Sequence, residues 1–401
     1  MKKTSEFLAT HVQAIPRSGI RDFFELVQKR GDVISLGIGE PDISAPWAVR
    51  EAAIFALENG RTGYTSNLGS LKLRGEISKY MEKICGSSYD PESEILVTVG
   101  VSEAIDLALR AVINPGETVL YHEPCYVSYA PSISLAHGKG RGIPTRAEDG
   151  FRLEPEAVAK AATAGAKVLL LNFPTNPTGA VMRGKDLDAL AKVCVEKKLL
   201  VISDEIYAEL SYEGAHESIV TRPGMRERTI LLHGLSKAFA MTGFRIGYAC
   251  APAPLIEAMM KIHQYAILCA ATPSQEAAVE ALRGAEATTS EARAKYQIRR
   301  DYLRNKLEEA GLRPTNPAGA FYLFVDVRST GLSSREFALR LLDEEKVAVV
   351  PGEAFGPGGE GFVRCSYATG LDRIEVAAER IVRFVKKIKS GHGAPALVGT
   401  R

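Results

Sequence analysis

A mainly parallel β-sheet covered by helices on both faces, with a smaller α+β unit beside it, is the α/β architecture this chain predicts. Three observations carry the prediction. From about residue 94 short apolar runs alternate with helix-like amphipathic segments. The runs are continuously apolar, as in strands buried on both faces. Polar residues or glycine stand where the runs end, at Gly100, Asn172, Asp204 and His233, and ligands on such sheets bind beyond the strands' carboxyl ends. At 401 residues the chain exceeds what one hydrophobic core supports, so about two domains are expected.

In chain order, residues 94–100 read as a strand, 102–113 as a helix, and Asn114, Pro115, Gly116 and Glu117 as a turn. Strands follow over 118–121, 167–172, 199–203, 229–233 and 246–251, with helices between most of them. A long helical segment around 255–284 closes this part. The pattern then changes to helix, strand 321–327, helix, strands 347–350 and 362–367, and a final helix. Ser333 followed by Glu336 resembles a capping box that opens one of these helices. The tail from Ser390 to Arg401 lacks periodicity and is expected to fray. Repeats and low-complexity tracts are absent from the sequence.

Fifty basic and 48 acidic residues leave a net charge of +2, without a long basic block, which argues against a nucleic-acid or membrane-surface partner. The first residues lack the apolar core of a signal peptide, and apolar runs fall short of the roughly 18 residues that span a bilayer. A soluble, cytoplasmic protein is expected. Cys85, Cys125, Cys194, Cys250, Cys269 and Cys365 are scattered without a Cys-x-x-Cys pair, so buried free thiols are expected rather than a metal site or a disulfide framework.

The residues that carry chemistry cluster in six segments. Ser236, Lys237, Thr242 and Arg245 follow an apolar strand in a stretch of small and apolar residues. A lysine held there suits Schiff-base formation, and a hydroxyl with a guanidinium suits a phosphate; together they are what pyridoxal phosphate requires. Asp204 ends another apolar strand and suits a protonated pyridine nitrogen, an electron sink for a substrate carbanion; the alternative is an ordinary helix cap. Tyr207 and Asn176 could donate to the ring's phenolic oxygen, and Asn176 also to a substrate carboxylate, although Asn-Pro-Thr-Gly is a common turn sequence. Val101 and Ser102 open a helix whose free amides suit the phosphate, with Ser102 also readable as a plain N-cap. Tyr126 could stack on the pyridine face or belong to the core. Arg364, in the middle of an apolar strand, suits an α-carboxylate or a structural ion pair.

These segments together resemble the class I/II aminotransferases of pyridoxal-phosphate fold type I, over most of the chain from Ile34 to the final helix. The resemblance implies a large cofactor-binding domain over 49–283 and a small domain built from 1–48 and 284–401. It implies Lys237 as the Schiff-base lysine and proton carrier, Asp204 as the ring-nitrogen partner, Tyr207 and Asn176 as phenolic-oxygen ligands, Arg364 as carboxylate anchor and Tyr126 as stacking ring. Gly39 would approach the substrate through its backbone. Tyr64 would reach the phosphate in a neighbouring subunit, which implies a homodimer with shared active sites.

Two departures from the family pattern matter. Many relatives carry a phosphate-binding serine three residues before the lysine, where this chain has Gly234, so Ser236 and Arg245 must carry more of the clamp. Relatives that act on aspartate place a lysine at the position of Ser102 or an arginine near that of Ala266, and this chain has neither. The stretches 234–237 and 263–265 look most like the aromatic and N-acetyl-diaminopimelate branch. The activity implied is ping-pong transfer of the α-amino group of an aromatic, neutral or diaminopimelate-like L-amino acid to a 2-oxo acid such as 2-oxoglutarate, with aspartate disfavoured. A carbon–sulfur β-lyase on the same scaffold is the nearest alternative, but such relatives usually have a tryptophan where this chain has Ala180, Val181 and Met182. A non-enzymatic pyridoxal-phosphate-sensing regulator is the more distant alternative: such proteins carry an added DNA-binding segment, which the stretch before Ile34 and the balanced charge do not lead one to expect.

Overall fold

The computed structural model describes residues 4–17, 27, 32–163 and 165–390. The tail expected to fray lies outside these beyond Ser390.

A seven-stranded sheet organises the first part of the chain. Its strands are β2 (Ile95–Val99), β3 (Thr118–Glu123), β4 (Lys139–Pro144), β5 (Ala166–Asn172), β6 (Leu200–Asp204), β7 (Thr229–Gly234) and β8 (Ile246–Cys250), in the spatial order 2-8-7-6-5-3-4. All pairings are parallel except those of β8, which runs antiparallel to both neighbours. Both faces are covered, as the continuous apolar runs require. On β5, Val168 and Leu170 pack against the helices Gly100–Val112 and Ala253–Ala266, while Leu169 and Leu171 pack against Pro155–Ala161 and Gly184–Glu196. Each such leucine or valine contributes about 1.5–3 kcal/mol by leaving water. The parallel register aligns Asn172 with Asp204, and the end of β7 lies alongside, so the polar strand ends share one edge.

A four-stranded antiparallel sheet organises the later part, from β9 (Arg313–Pro314), β10 (Tyr322–Asp326), β12 (Val350–Pro351) and β13 (Phe362–Ser366), in the order 12-13-10-9. Arg364 on β13 lies between Phe324 and Val350. The first strand, β1 (Ile34–Ser35), pairs in parallel with β11 (Val347–Ala348). The expected strand 347–350 is therefore two pieces with different partners.

Three further differences have local causes. The segment around 255–284 is two helices, Ala253–Ala266 and Thr272–Arg283, separated by a turn in which Leu268 takes φ 72°. Pro273 falls in the first turn of the second helix, where its missing amide costs no hydrogen bond, and marks the start. The expected helix 102–113 begins at Gly100, which takes φ 73°, so Ser102 sits in its first turn and is not the N-cap. Strand β4 was not anticipated, because Lys139, Gly140, Arg141 and Gly142 suit an exposed sheet edge and carry no apolar pattern. Ser333 does cap its helix, its Oγ accepting the Glu336 amide at 3.2 Å. Five cysteines are buried free thiols as expected; Cys269 is only partly buried.

Candidate active site

A cavity of about 430 Å³ opens at the carboxyl ends of β5, β6 and β7, and the second sheet closes it from above with Tyr322 and Arg364. It brings together Gly39, Val101, Ser102, Tyr126, Asn176, Asp204, Tyr207, Ser236, Lys237, Arg245 and Arg364. Tyr64 lies elsewhere, on an exposed segment with 82% of its surface in solvent, and His233 at the end of β7 is buried without lining the cavity. Cys125, next to Tyr126, is buried and does not line the cavity.

Lys237 follows β7 in the loop that returns through β8, and its Nζ donates to the carbonyl of Gly39 at 2.7 Å. Burial, with Arg364 nearby, pulls its amine down to about 8. Asp204 ends β6 fully buried. Its Oδ2 accepts the Tyr129 hydroxyl at 2.8 Å and its Oδ1 the Ile206 amide at 3.2 Å. Burial pushes its carboxyl up to about 6, and these two donors hold it back from rising further. It is therefore largely ionised at neutral pH.

Asn172 ties the strand ends together: its side-chain amide donates to the Asp204 carbonyl at 2.9 Å, and its Oδ1 accepts the Asn176 amide at 3.0 Å. The Asn176 side chain in turn receives Arg364 Nη1 at 2.9 Å, while Arg364 Nη2 donates to the Gly37 carbonyl at 2.6 Å. The guanidinium is buried beside the rings of Tyr322 (4.4 Å) and Phe355 (4.9 Å), and its Nε has no hydrogen-bond partner. Among the described residues no carboxylate lies within ion-pair reach of Arg364, so the structural ion pair considered from the sequence is not formed. A buried, partly unpaired cationic fork is costly unless an anion completes it.

At the other end of the cavity the start of helix Gly100–Val112 meets Arg245. The guanidinium lies so close that a Cβ on Gly100 would come within 2.4 Å of Nη2, and one on Gly247 within 2.5 Å of the Val101 amide nitrogen. These glycines make the close approach possible. First-turn amides have no partner within a helix and carry partial positive charge, so a phosphate-sized anion is favoured here. A serine at Gly234, as the family pattern would have it, would be tightly packed: its Cβ would stand 3.0 Å from Gly247 Cα, the Ile246 carbonyl and Val101 Cγ2.

Sequence reasoning missed Tyr129 and Tyr322. The Tyr322 hydroxyl lies 2.9 Å from that of Tyr207, and a Cβ on Gly39 would come within 2.3 Å of it, so a larger residue there would have to displace this hydroxyl. The one available signal for Tyr129 was its spacing of three from Tyr126, a single helical turn. Glu40 also lines the cavity, accepting the Thr242 hydroxyl at 2.5 Å. Behind the site, Cys85, Glu205 and His216 converge despite the scattered cysteines. Glu205 there accepts from Ser203 and Ser218 on one oxygen and from His216 and Cys85 on the other, and burial keeps the thiol protonated, so hydrogen bonds close this cluster.

Residues 31–381 match the family described as Aminotransferase class I and II. The chain belongs to the class I and II aminotransferases. Among similar proteins, aromatic-amino-acid aminotransferase 2 of Thermococcus litoralis is 41% identical over 385 residues, covering 95% of this aminotransferase and 99% of that one. An aspartate aminotransferase of Pyrococcus abyssi is 43% identical over 385 residues with the same coverage. The crystal structure of an aromatic aminotransferase from Pyrococcus horikoshii superposes with a TM-score of 0.87 at 45% identity, covering 92% of this chain and 99% of that one. The fold is that of the type I pyridoxal-phosphate transferases, and the enzyme is an aminotransferase dependent on pyridoxal phosphate. The donor set suits that cofactor: one amine of lowered basicity, one buried carboxylate, and a guanidinium against a helix start.

Proposed function

We propose that this aminotransferase takes the α-amino group of an aromatic or neutral L-amino acid, or of a diaminopimelate-like one, and passes it to a 2-oxo acid such as 2-oxoglutarate in ping-pong order. Bound pyridoxal phosphate supplies the aldehyde that takes up the amino group and the ring that accepts negative charge from the substrate's α-carbon. Lys237 holds the cofactor through its amine and carries the proton of the α-carbon on Nζ. Asp204 keeps the ring nitrogen protonated, and Tyr207 and Asn176 donate to the ring oxygen. Tyr126 stacks on the ring. Ser236, Arg245 and the amides of Val101 and Ser102 hold the phosphate. Arg364 binds the substrate α-carboxylate, with the backbone at Gly39 close beside it. The observation that carries this reading is the Arg364 fork, buried without a carboxylate partner in the same cavity as Lys237 and Asp204.

The choice of donor rests on the wall of the cavity. Ile38, Ile105, Ile206, Tyr126, Tyr129 and Tyr322 make it largely apolar, and among the described residues its only cations are Lys237, Arg245 and Arg364. Each of these has a role above, and Glu40 repels a second carboxylate.

We also propose a cytoplasmic homodimer. None of the described helices is long and apolar enough to cross a membrane. Trp47, Phe55, Leu57, Leu71, Tyr265 and Leu268 are exposed, and Asn67 bonds the Leu268 carbonyl, which sets the Tyr64 segment beside this apolar surface. Such a surface on a soluble chain suits a partner, and Tyr64 would then reach the neighbouring cofactor. The division into 49–283 and 1–48 with 284–401 is likewise a proposal, supported by the separate sheets and by the pairing of β1 with β11.

The test is a panel of L-amino acids against 2-oxoglutarate, read in single half-reactions from the absorbance of the bound cofactor. Aromatic and neutral donors should exceed aspartate by about tenfold or more in kcat/KM, the equivalent of about 1.4 kcal/mol. A preference for aspartate would overturn the donor assignment. Full-rate turnover by Lys237→Ala would overturn the role of the lysine.

A further inference from the structure

Asp204 depends on its own oxygens being correctly aimed and ionised, and the protein supplies one fixed donor to each. The Ile206 amide comes from the next turn of the same segment. The other donor comes from a distant part of the chain: Tyr129 opens the helix Tyr129–Leu135, has no exposed surface, and places its hydroxyl 2.8 Å from Oδ2. The Tyr126 ring, 5.6 Å away and nearly perpendicular at 85°, holds the Tyr129 ring edge-on. A carboxylate rotates freely about its last bond, and a donor on each oxygen removes that freedom. It also has about four acceptor positions, so two remain for a ligand.

We infer that Tyr129 is a positioning residue, which orients Asp204 and keeps it ionised for the cofactor; this rests on the reading of Asp204 as the ring-nitrogen partner. The charge balance makes the hydroxyl consequential. Burial is the main force on Asp204 and drives it towards the neutral acid, with the neighbouring Glu205 adding to that drive. Opposing it are Tyr129 first, then the Ile206 amide and His233 on β7, while Lys237 faces it from the loop after β7 and Tyr207 from the turn after β6. Burial holds the Tyr129 phenol well above its ordinary value, so it acts only as a donor. With the carboxyl already at about 6, loss of this donor moves its titration into the neutral range.

The experiment measures pyridoxal-phosphate affinity of the full-length, cofactor-depleted chain by fluorescence of its one tryptophan, Trp47, from pH 5 to 8.5. Four proteins are compared: wild type, Tyr129→Phe, Asp204→Asn and the double variant. Phenylalanine keeps the ring and its packing. Wild-type affinity should fall as pH drops through about 6, the Asp204 value. In Tyr129→Phe the fall should begin about one pH unit higher, the equivalent of one hydrogen bond to a charged group, so that binding is about twofold weaker at pH 7 and about fivefold weaker at pH 6, where most of its carboxyl is neutral. Asp204→Asn should lose the step near pH 6 and keep only the rise around 8 that Lys237 gives, and adding Tyr129→Phe to it should change affinity less than twofold. A Tyr129→Phe curve that overlays wild type while Asp204→Asn abolishes the step near pH 6 would overturn this inference alone. An equal loss from Tyr129→Phe in the presence of Asp204→Asn would also overturn it, by showing a merely structural role. If Asp204→Asn itself left the curve unchanged, the reading of Asp204 would fall, and this inference with it.

Discussion

Replacing Arg364 with lysine probes the carboxylate anchor without removing its charge. The guanidinium spends one donor on Asn176 Oδ1 and one on the Gly37 carbonyl, and has an unpartnered Nε beside them. A carboxylate meeting this fork gains two charge-assisted hydrogen bonds, each worth about 1.5–3 kcal/mol, and a single ammonium point charge recovers about one of them. Arg364→Lys should therefore lose about 1.5–3 kcal/mol of transition-state binding, or about ten- to a hundredfold in kcat/KM. The assay is the single half-reaction with the best L-amino acid, followed by the absorbance of the bound cofactor. Cofactor affinity, measured in parallel, should change less than twofold, because Arg364 reaches the cofactor only through Asn176, whose oxygen a lysine can still bond. An unchanged kcat/KM, or a loss seen only in cofactor affinity, would refute the reasoning.

Two other outcomes are expected. The rate at which the cofactor-depleted enzyme captures pyridoxal phosphate should rise with pH around a midpoint of about 8, because only the neutral form of Lys237, dominant above that value, attacks the aldehyde. A rate that stays flat from pH 7 to 9 would count against this. Gly234→Ser, which restores the serine of many relatives, should destabilise the fold by about 1–3 kcal/mol through overpacking against Gly247 and Val101, seen as a lower urea midpoint. Tighter cofactor binding without loss of stability would show that the phosphate clamp has room for that hydroxyl.

The core of the site was legible because its residues break the local pattern. Lys237, Asp204 and Arg364 are charges in apolar runs, and a charge in such a place demands a partner that chemistry can name. Tyr129 and Tyr322 were not legible. A tyrosine in an apolar segment reads as core, and only its hydroxyl's destination, Asp204 or Tyr207, marks it as part of the site. The same limit hid β4, whose residues suit a strand only once β3 lies beside them, and the turn at Leu268, where two helical patterns abut without an apolar break.

By itself the sequence determined the alternation of strand and helix, the placing of polar residues at strand ends, and the residue types that suit pyridoxal phosphate. These follow from side-chain periodicity and local polarity, which depend only on neighbours along the chain. Tertiary structure decided how each donor is used. It brought Gly37 to Arg364 and Tyr129 to Asp204, set Arg245 against the helix start at Gly100, reversed β8 and split 347–350 between two partners. Those contacts join residues tens to hundreds of positions apart. Their geometry is fixed by packing of the whole fold, which short-range patterns do not encode.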